Sequence, residues 1–128
     1  MIDHIGMPVR DLARATEFYL KALAPLGIAI VMQVSAEESG HGAAVGFGAN
    51  QKPFFWIGEG EPLGGHVHVA FTASSRAAVD AFYRAGLAAG AKDNGPPGLR
   101  PHYHANYYAA FVLDADGNNV EAVCHASS

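Results

Sequence analysis

Apolar and polar positions alternate near the middle of the chain. His66, His68 and Ala70 fall on one face of a strand, and Val67, Val69 and Phe71 on the other. The amino end repeats the pattern, with Ile2, His4 and Gly6 against Asp3, Ile5 and Met7. After each strand the period changes to that of a helix. Leu12, Ala15, Tyr19, Ala22, Leu23 and Leu26 recur at three- and four-residue steps behind Asp11, a helix cap, and Pro25 and Gly27 end the run. In the second half Ser74 is the expected cap of a helix reaching about Ala89, with Val79, Phe82 and Ala85-Gly86 inward. Strands then follow at 28–34, 43–48 and 54–57, and, after the second helix, at 107–113 and 118–124 around the turn Asp114-Ala115-Asp116-Gly117. The polar run 35–42 reads as a turn. The second half matches the first less well at 91–93, at most a short strand. Asn94-Gly95-Pro96-Pro97-Gly98 predicts an irregular loop that continues through Asn106.

The two halves coincide at an offset of 64 residues, which places His4 on His68. Ala13 then falls on Ala77, Phe18-Tyr19 on Phe82-Tyr83, Leu23-Ala24 on Leu87-Ala88, and Phe47 on Phe111. Two copies are too few for a solenoid, so the expectation is one α+β domain of two tandem βαβββ modules, 1–62 and 63–128, joined through 58–65. At 128 residues, half of them apolar, the chain has material for one shared core.

Composition removes several functions. With 8 basic and 12 acidic residues the net charge is −4, which offers no positive field to nucleic acid or anionic lipid. Cys124 is alone and forms no internal disulfide. There is no signal-peptide-like apolar core, and no apolar run approaches the roughly 20 residues of a membrane span, so a cytoplasmic setting is expected. Seven histidines are many for this length, and four of them pair up as His66 with His68 and His102 with His104. That clustering raises metal or proton chemistry.

Glu121 interrupts the apolar strand Val120-Glu121-Ala122-Val123-Cys124, on the face opposite Val120, Ala122 and Cys124. A buried carboxylate costs several kcal/mol without a counter-charge, so a metal or a cation belongs beside it. His4, His68 and Glu121 supply two imidazoles and one carboxylate, a set suited to a divalent metal with positions open to substrate. An ion pair to Arg or Lys is the structural alternative for Glu121, and few cations lie at inward positions.

Asp3-His4-Ile5, His66-Val67-His68-Val69-Ala70-Phe71 and above all Asp114-Ala115-Asp116-Gly117-Asn118-Asn119-Val120-Glu121 resemble the vicinal oxygen chelate superfamily, which includes glyoxalase I, extradiol dioxygenases, fosfomycin-modifying enzymes and bleomycin-binding proteins. The resemblance covers essentially the whole chain. Alanine at 115 replaces the proline usual in that turn. The resemblance implies a cup-shaped mixed sheet with metal at the junction of the modules, and His4, His68 and Glu121 match its ligand positions. It also implies Fe, Zn, Mn or Ni as the cofactor, a small-molecule substrate, and a homodimer, with the cup closed either within one chain or by modules exchanged between two. The fourth ligand position departs from glyoxalase I. Constant offset puts Ile57 there and a one-residue slip puts Trp56 there, and neither binds metal. Three ligands resemble the dioxygenases and fosfomycin enzymes more closely. The acid–base candidates are His102, His104, Tyr107 and Tyr108, since Phe111 stands where a dioxygenase tyrosine is expected. Trp56, His66 and Arg100 are the substrate-binding candidates, Arg100 with Lys92 being the cations available to an anionic group. His102 and His104 read equally well as decoration of a proline-stiffened loop, and His66 as a rim residue. His41, Cys124 and His125 read as structural or solvated. The reading is thus a metal-dependent enzyme of the dioxygenase or glyoxalase-lyase type. Its rival is a metal-free drug-binding module of the bleomycin-resistance type, in which Trp56 and the tyrosines stack the ligand.

Overall fold

The computed structural model describes residues 1–64 and 67–127. Its elements run β1 (Ile5–Val9), α1 (Leu12–Leu23), β2 (Ala29–Val34), α2 (Ala36–Ser39), β3 (Ala44–Ala49) and β4 (Lys52–Glu59), then β5 (His68–Thr72), α3 (Arg76–Ala88), β6 (Lys92–Leu99), β7 (Tyr108–Leu113) and β8 (Asn119–Cys124). The strands form two mixed sheets of four, ordered β1-β4-β3-β2 and β5-β8-β7-β6. Each sheet therefore has the same plan, with its first strand parallel to its last and at an edge. None of the helices is long and apolar enough to cross a membrane among the described residues.

Helix α1 starts where Asp11 accepts a bond from the Arg14 N–H, and α3 starts at Ser75, one residue beyond the expected cap. The predicted turn 35–42 contains α2, because Ser35 and Glu38 form a reciprocal capping box that stabilises one helical turn. Both long helices lie on one face of their sheets. The two meet at Gly86, where an added Cβ would stand 3.7 Å from Val112 and 4.0 Å from the Ala22 Cβ. The core is aromatic at its centre: Phe55 packs edge-on to Tyr19 and to Phe71, each at 5.1 Å between ring centroids. Phe71 belongs to β5, so Phe55 ties the first module to the second.

Two further sequence expectations change. Strand β6 runs straight through Gly95-Pro96-Pro97-Gly98, where an irregular loop was expected. Prolines are tolerated because β6 is an edge strand, and its register with β7 shifts between Asp93 and Gly95 and again between Gly95 and Gly98. The Phe47–Phe111 match is also not a structural equivalence. Phe47 is fully buried against Tyr19, whereas Phe111 is paired with Glu121 and lies near His68, on the helix-free face.

The turn after β7 is held by Asp114. Its Oδ1 accepts from the N–H groups of Asp116 and Asn118, and its Oδ2 accepts from Asn118 Nδ2 and, at 2.6 Å, from the Tyr19 hydroxyl of α1. Burial first and the Asp114 carboxylate second push the Tyr19 phenol well above its ordinary 10.0. The contribution is therefore complete below pH ~10, the unfolded value, and is lost as pH rises beyond it. Tyr19→Phe is expected to cost about 1–3 kcal/mol at neutral pH, read as a lower denaturant midpoint at unchanged slope. The gap to wild type should narrow in strongly alkaline buffer.

Candidate active site

Period-two alternation sends Glu121 to the helix-free face of the second sheet, beside Ala70 on β5 and Phe111 on β7. Its side chain is 1% exposed, yet neither Lys nor Arg touches it among the described residues. Two groups bond it instead. His68 Nε2 lies 2.7 Å from Oε1, and since a carboxylate only accepts, the imidazole donates. The Tyr107 hydroxyl donates to Oε2. Desolvation, and then the bond to Glu121, push the Tyr107 phenol up to about 12, so it keeps its proton throughout the neutral range. The His68 side chain is half exposed, which opens the pair to solvent.

The other expected residues distribute around this pair unevenly. The two neighbouring tyrosines, Tyr107 and Tyr108, diverge: Tyr108 turns to the helix side, where its hydroxyl donates to Asp80 and Arg76 stacks on its ring. Tyr107 is the tyrosine on the site. His102 stacks on Tyr103 at 4.2 Å, and Tyr103 packs edge-on to Tyr107 at 5.1 Å, so His102 reaches the site only through these rings. His104 Nδ1 accepts from the Asn106 N–H, and its Nε2 has no hydrogen-bond partner among the described residues. Arg100 lies over the Phe111 ring, 5.3 Å from its centroid. His66 is outside the described residues.

His125 and Asn119, which the sequence did not single out for the site, share its face. The His125 ring packs perpendicular to Tyr107 at 5.3 Å and lies 5.9 Å from His104. Asn119 Oδ1 accepts from Asn94 Nδ2. Alternation carried the signal, since residues 119, 121, 123 and 125 share a face.

The first module's equivalent face is different in kind. Gly6 stands beside Trp56 as Ala70 stands beside Glu121, and Gly6 and Ala70 match at the repeat offset, so Trp56 and not Ile57 occupies the fourth-ligand place. Ile57 is fully buried on the helix side. The Trp56 indole lies across Gly46, where an added Cβ would come within 2.9 Å of the ring, so that glycine is what lets it lie flat. His4 precedes β1, exposed, with Nδ1 2.6 Å from Asp3, whose carboxylate also bonds Lys52. Among the described residues no three His, Cys, Asp or Glu side chains meet in one cluster. His68 and Glu121 are brought together, and His4 stands apart from them.

Two mixed sheets built from tandem βαβββ modules, with a buried glutamate bonded to a strand histidine, define a glyoxalase-like α+β domain. The chain belongs to the Glyoxalase/Bleomycin resistance protein/Dioxygenase superfamily, whose family model matches residues 1–122. Among solved structures, a glyoxalase/bleomycin resistance protein from Albidiferax ferrireducens is 28% identical at a TM-score of 0.76, covering 97% of this chain and 98% of that one. A glyoxalase/bleomycin resistance protein/dioxygenase family enzyme from Burkholderia phytofirmans is 18% identical at a TM-score of 0.71, covering 97% and 98%. The fosfomycin resistance protein FosX from Listeria monocytogenes, solved as a mutant with Mn(II) and dihydroxypropylphosphonic acid, is 19% identical at a TM-score of 0.69, covering 96% and 88%. The last two likenesses establish the shared fold. No protein with a curated description matches the chain.

Proposed function

We propose that the protein is a divalent-metal-dependent enzyme acting on a small substrate that binds through its oxygens. The observation that carries this reading is Glu121, a nearly fully buried carboxylate whose bonded neighbours are an imidazole and a phenol and which has no Lys or Arg on it. The donor chemistry fits a metal. A carboxylate and an imidazole nitrogen converge from adjacent strands, and both are ordinary ligands of Mn(II), Fe(II), Zn(II) or Ni(II). A bound ion would supply Lewis acidity to an enolate, alkoxide or catecholate.

His4 is the third ligand in this reading, contributed by a second copy of the chain. Three features support the exchange. His4 joins no three-group cluster among the described residues of its own chain, β1 and β5 are both edge strands, and Ile2 and Ile5 are exposed at the start of β1. Joining the first module's face in one copy to the second module's face in the other would set Trp56 across from Glu121 as a wall against which a flat substrate stacks. Edge strands that stay bare invite such pairing.

The chain's own groups divide the remaining work. Tyr107 holds a proton on its hydroxyl and orients Oε2 of Glu121. His104, through its Nε2, and His102 are the proton carriers nearer the loop. Cys124, a free and buried thiol, suits a reducing cytoplasmic setting. Elemental mass spectrometry of protein purified anaerobically tests the metal. Near one ion per chain in wild type, absent from His68→Ala with the fold retained, is expected. Iron directs the search to oxygen uptake with catechols, and zinc, manganese or nickel directs it to lyases and isomerases. No metal after reconstitution would return the protein to the drug-binding reading.

Tyr107→Phe should leave metal content intact and lower turnover by about 10- to 1000-fold, because it removes the proton donor without removing a ligand. Unchanged turnover would take Tyr107 out of the chemistry.

A further inference from the structure

Arg100 is held in one place by two backbone carbonyls and an aromatic ring. Its Nη1 donates to the Gly98 carbonyl and its Nη2 to the Pro96 carbonyl, both at 2.8 Å, and its guanidinium lies on the face of Phe111. The strand is shaped around it. An added Cβ at Gly98 would stand 3.2 Å from Nη1, and one at Gly95 would stand 3.2 Å from Nη2 and 3.0 Å from Phe111. Gly95 also has φ of +147°, which a side chain rarely adopts. The bulged Gly95-Pro96-Pro97-Gly98 segment is thus a cradle that holds one guanidinium in one orientation.

The cradle stands beside the site and lacks an anion. Phe111 is the direct pair of Glu121, and its ring centroid lies 6.2 Å from that of His68 and 5.3 Å from the Arg100 guanidinium carbon. No described carboxylate lies within 4.0 Å of Arg100. Nη1 and Nη2 each give one N–H to a carbonyl, so three of the five guanidinium N–H groups have no partner among the described residues, and such donors pair with a carboxylate.

We infer that Arg100 is the anion-binding subsite of this active site, and that the substrate is a small monocarboxylate whose charge stands about one aromatic ring away from its metal-binding oxygens. The inference rests on the metal-centre reading for the place of those oxygens. The charge is a carboxylate because one guanidinium serves it. A phosphonate dianion calls for several cations, and Lys92, the cation on β6, is paired with Leu113 at the far end of the strand from Arg100.

Protocatechuate and catechol share a ring and two vicinal hydroxyls, but only protocatechuate carries a carboxylate across the ring; benzoate carries the carboxylate alone. Their dissociation constants are measured by ligand-observed NMR on Zn(II)-loaded wild type, Arg100→Gln and Arg100→Lys, with Zn(II) stoichiometry and melting midpoint determined for each. Wild type is expected to bind protocatechuate at least about tenfold tighter than catechol, with the preference gone in Arg100→Gln and partly kept in Arg100→Lys. Equal affinity for the two in wild type, or an undiminished preference in Arg100→Gln with Zn(II) still bound, overturns the subsite and leaves the metal site standing. If no protein binds Zn(II), the metal reading has failed on its own. Arg100-dependent binding of benzoate then upholds the subsite, and benzoate binding that ignores Arg100, or none, overturns it.

Discussion

Mixing His4→Ala protein with Glu121→Ala protein, under conditions that let subunits exchange, is expected to restore about a quarter of the wild-type metal sites, while each variant alone holds none. The fraction follows from the shared site. In a mixed dimer one cup carries both lesions and the other carries none, and random exchange makes about half of the dimers mixed. A cup closed within one chain gives no recovery, since each chain keeps its own lesion. The measurement is metal per chain by elemental mass spectrometry after repurification, with the dimer confirmed by light scattering. Metal retained in His4→Ala alone would remove His4 from the ligand set and leave His68 and Glu121 to be completed otherwise. The stability of metal-free protein gives an independent control. Glu121→Ala removes a buried charge together with its two bonds, so its metal-free form should lie near wild type in stability, within about 1–3 kcal/mol, and a loss of metal there is not a loss of fold.

Phe55→Ala is expected to cost about 3–5 kcal/mol, the range for truncating a buried aromatic ring. Phe55 is 1% exposed and packs against Tyr19, Phe47 and Phe71, so its removal opens a cavity bordered by α1, β3 and β5 together. For a domain whose total stability is typically 5–15 kcal/mol, a loss of that size leaves a chain close to its unfolding threshold. Urea denaturation checks the magnitude. Because Phe71 is in the strand that presents His68, the same variant should also weaken metal binding before it unfolds globally. A variant as stable as wild type would mean that the modules are held by α1 against α3 alone. Tyr19→Phe cuts only the polar tie between the same two modules, which is why its expected cost is smaller.

Much of this was legible in the linear pattern. The doubled βαβββ order, the caps at Asp11 and near Ser75, the turn at Asp114 and the anomaly of Glu121 are local signals. Each depends on a few neighbouring side chains and a fixed period. The motif Asp114-Ala115-Asp116-Gly117-Asn118 also pointed to the family, and the structure supplies its physical basis in four bonds converging on one buried carboxylate.

What the sequence by itself determined, then, is most of the strands and both long helices, that the order comes twice, and that one face of the second module carries a carboxylate and a histidine. Tertiary structure decided everything that depends on register between strands distant in the chain. It placed Trp56 rather than Ile57 opposite Gly6 and turned Phe47 and Phe111 to opposite faces. It also made a strand of a glycine–proline run by setting it at a sheet edge, and so built the seat of Arg100. The physical reason is the two-residue period of a sheet: a single bulge or a turn longer by one residue inverts every side chain beyond it. Nothing in the local pattern reports that inversion, because it is settled only when the strands pair.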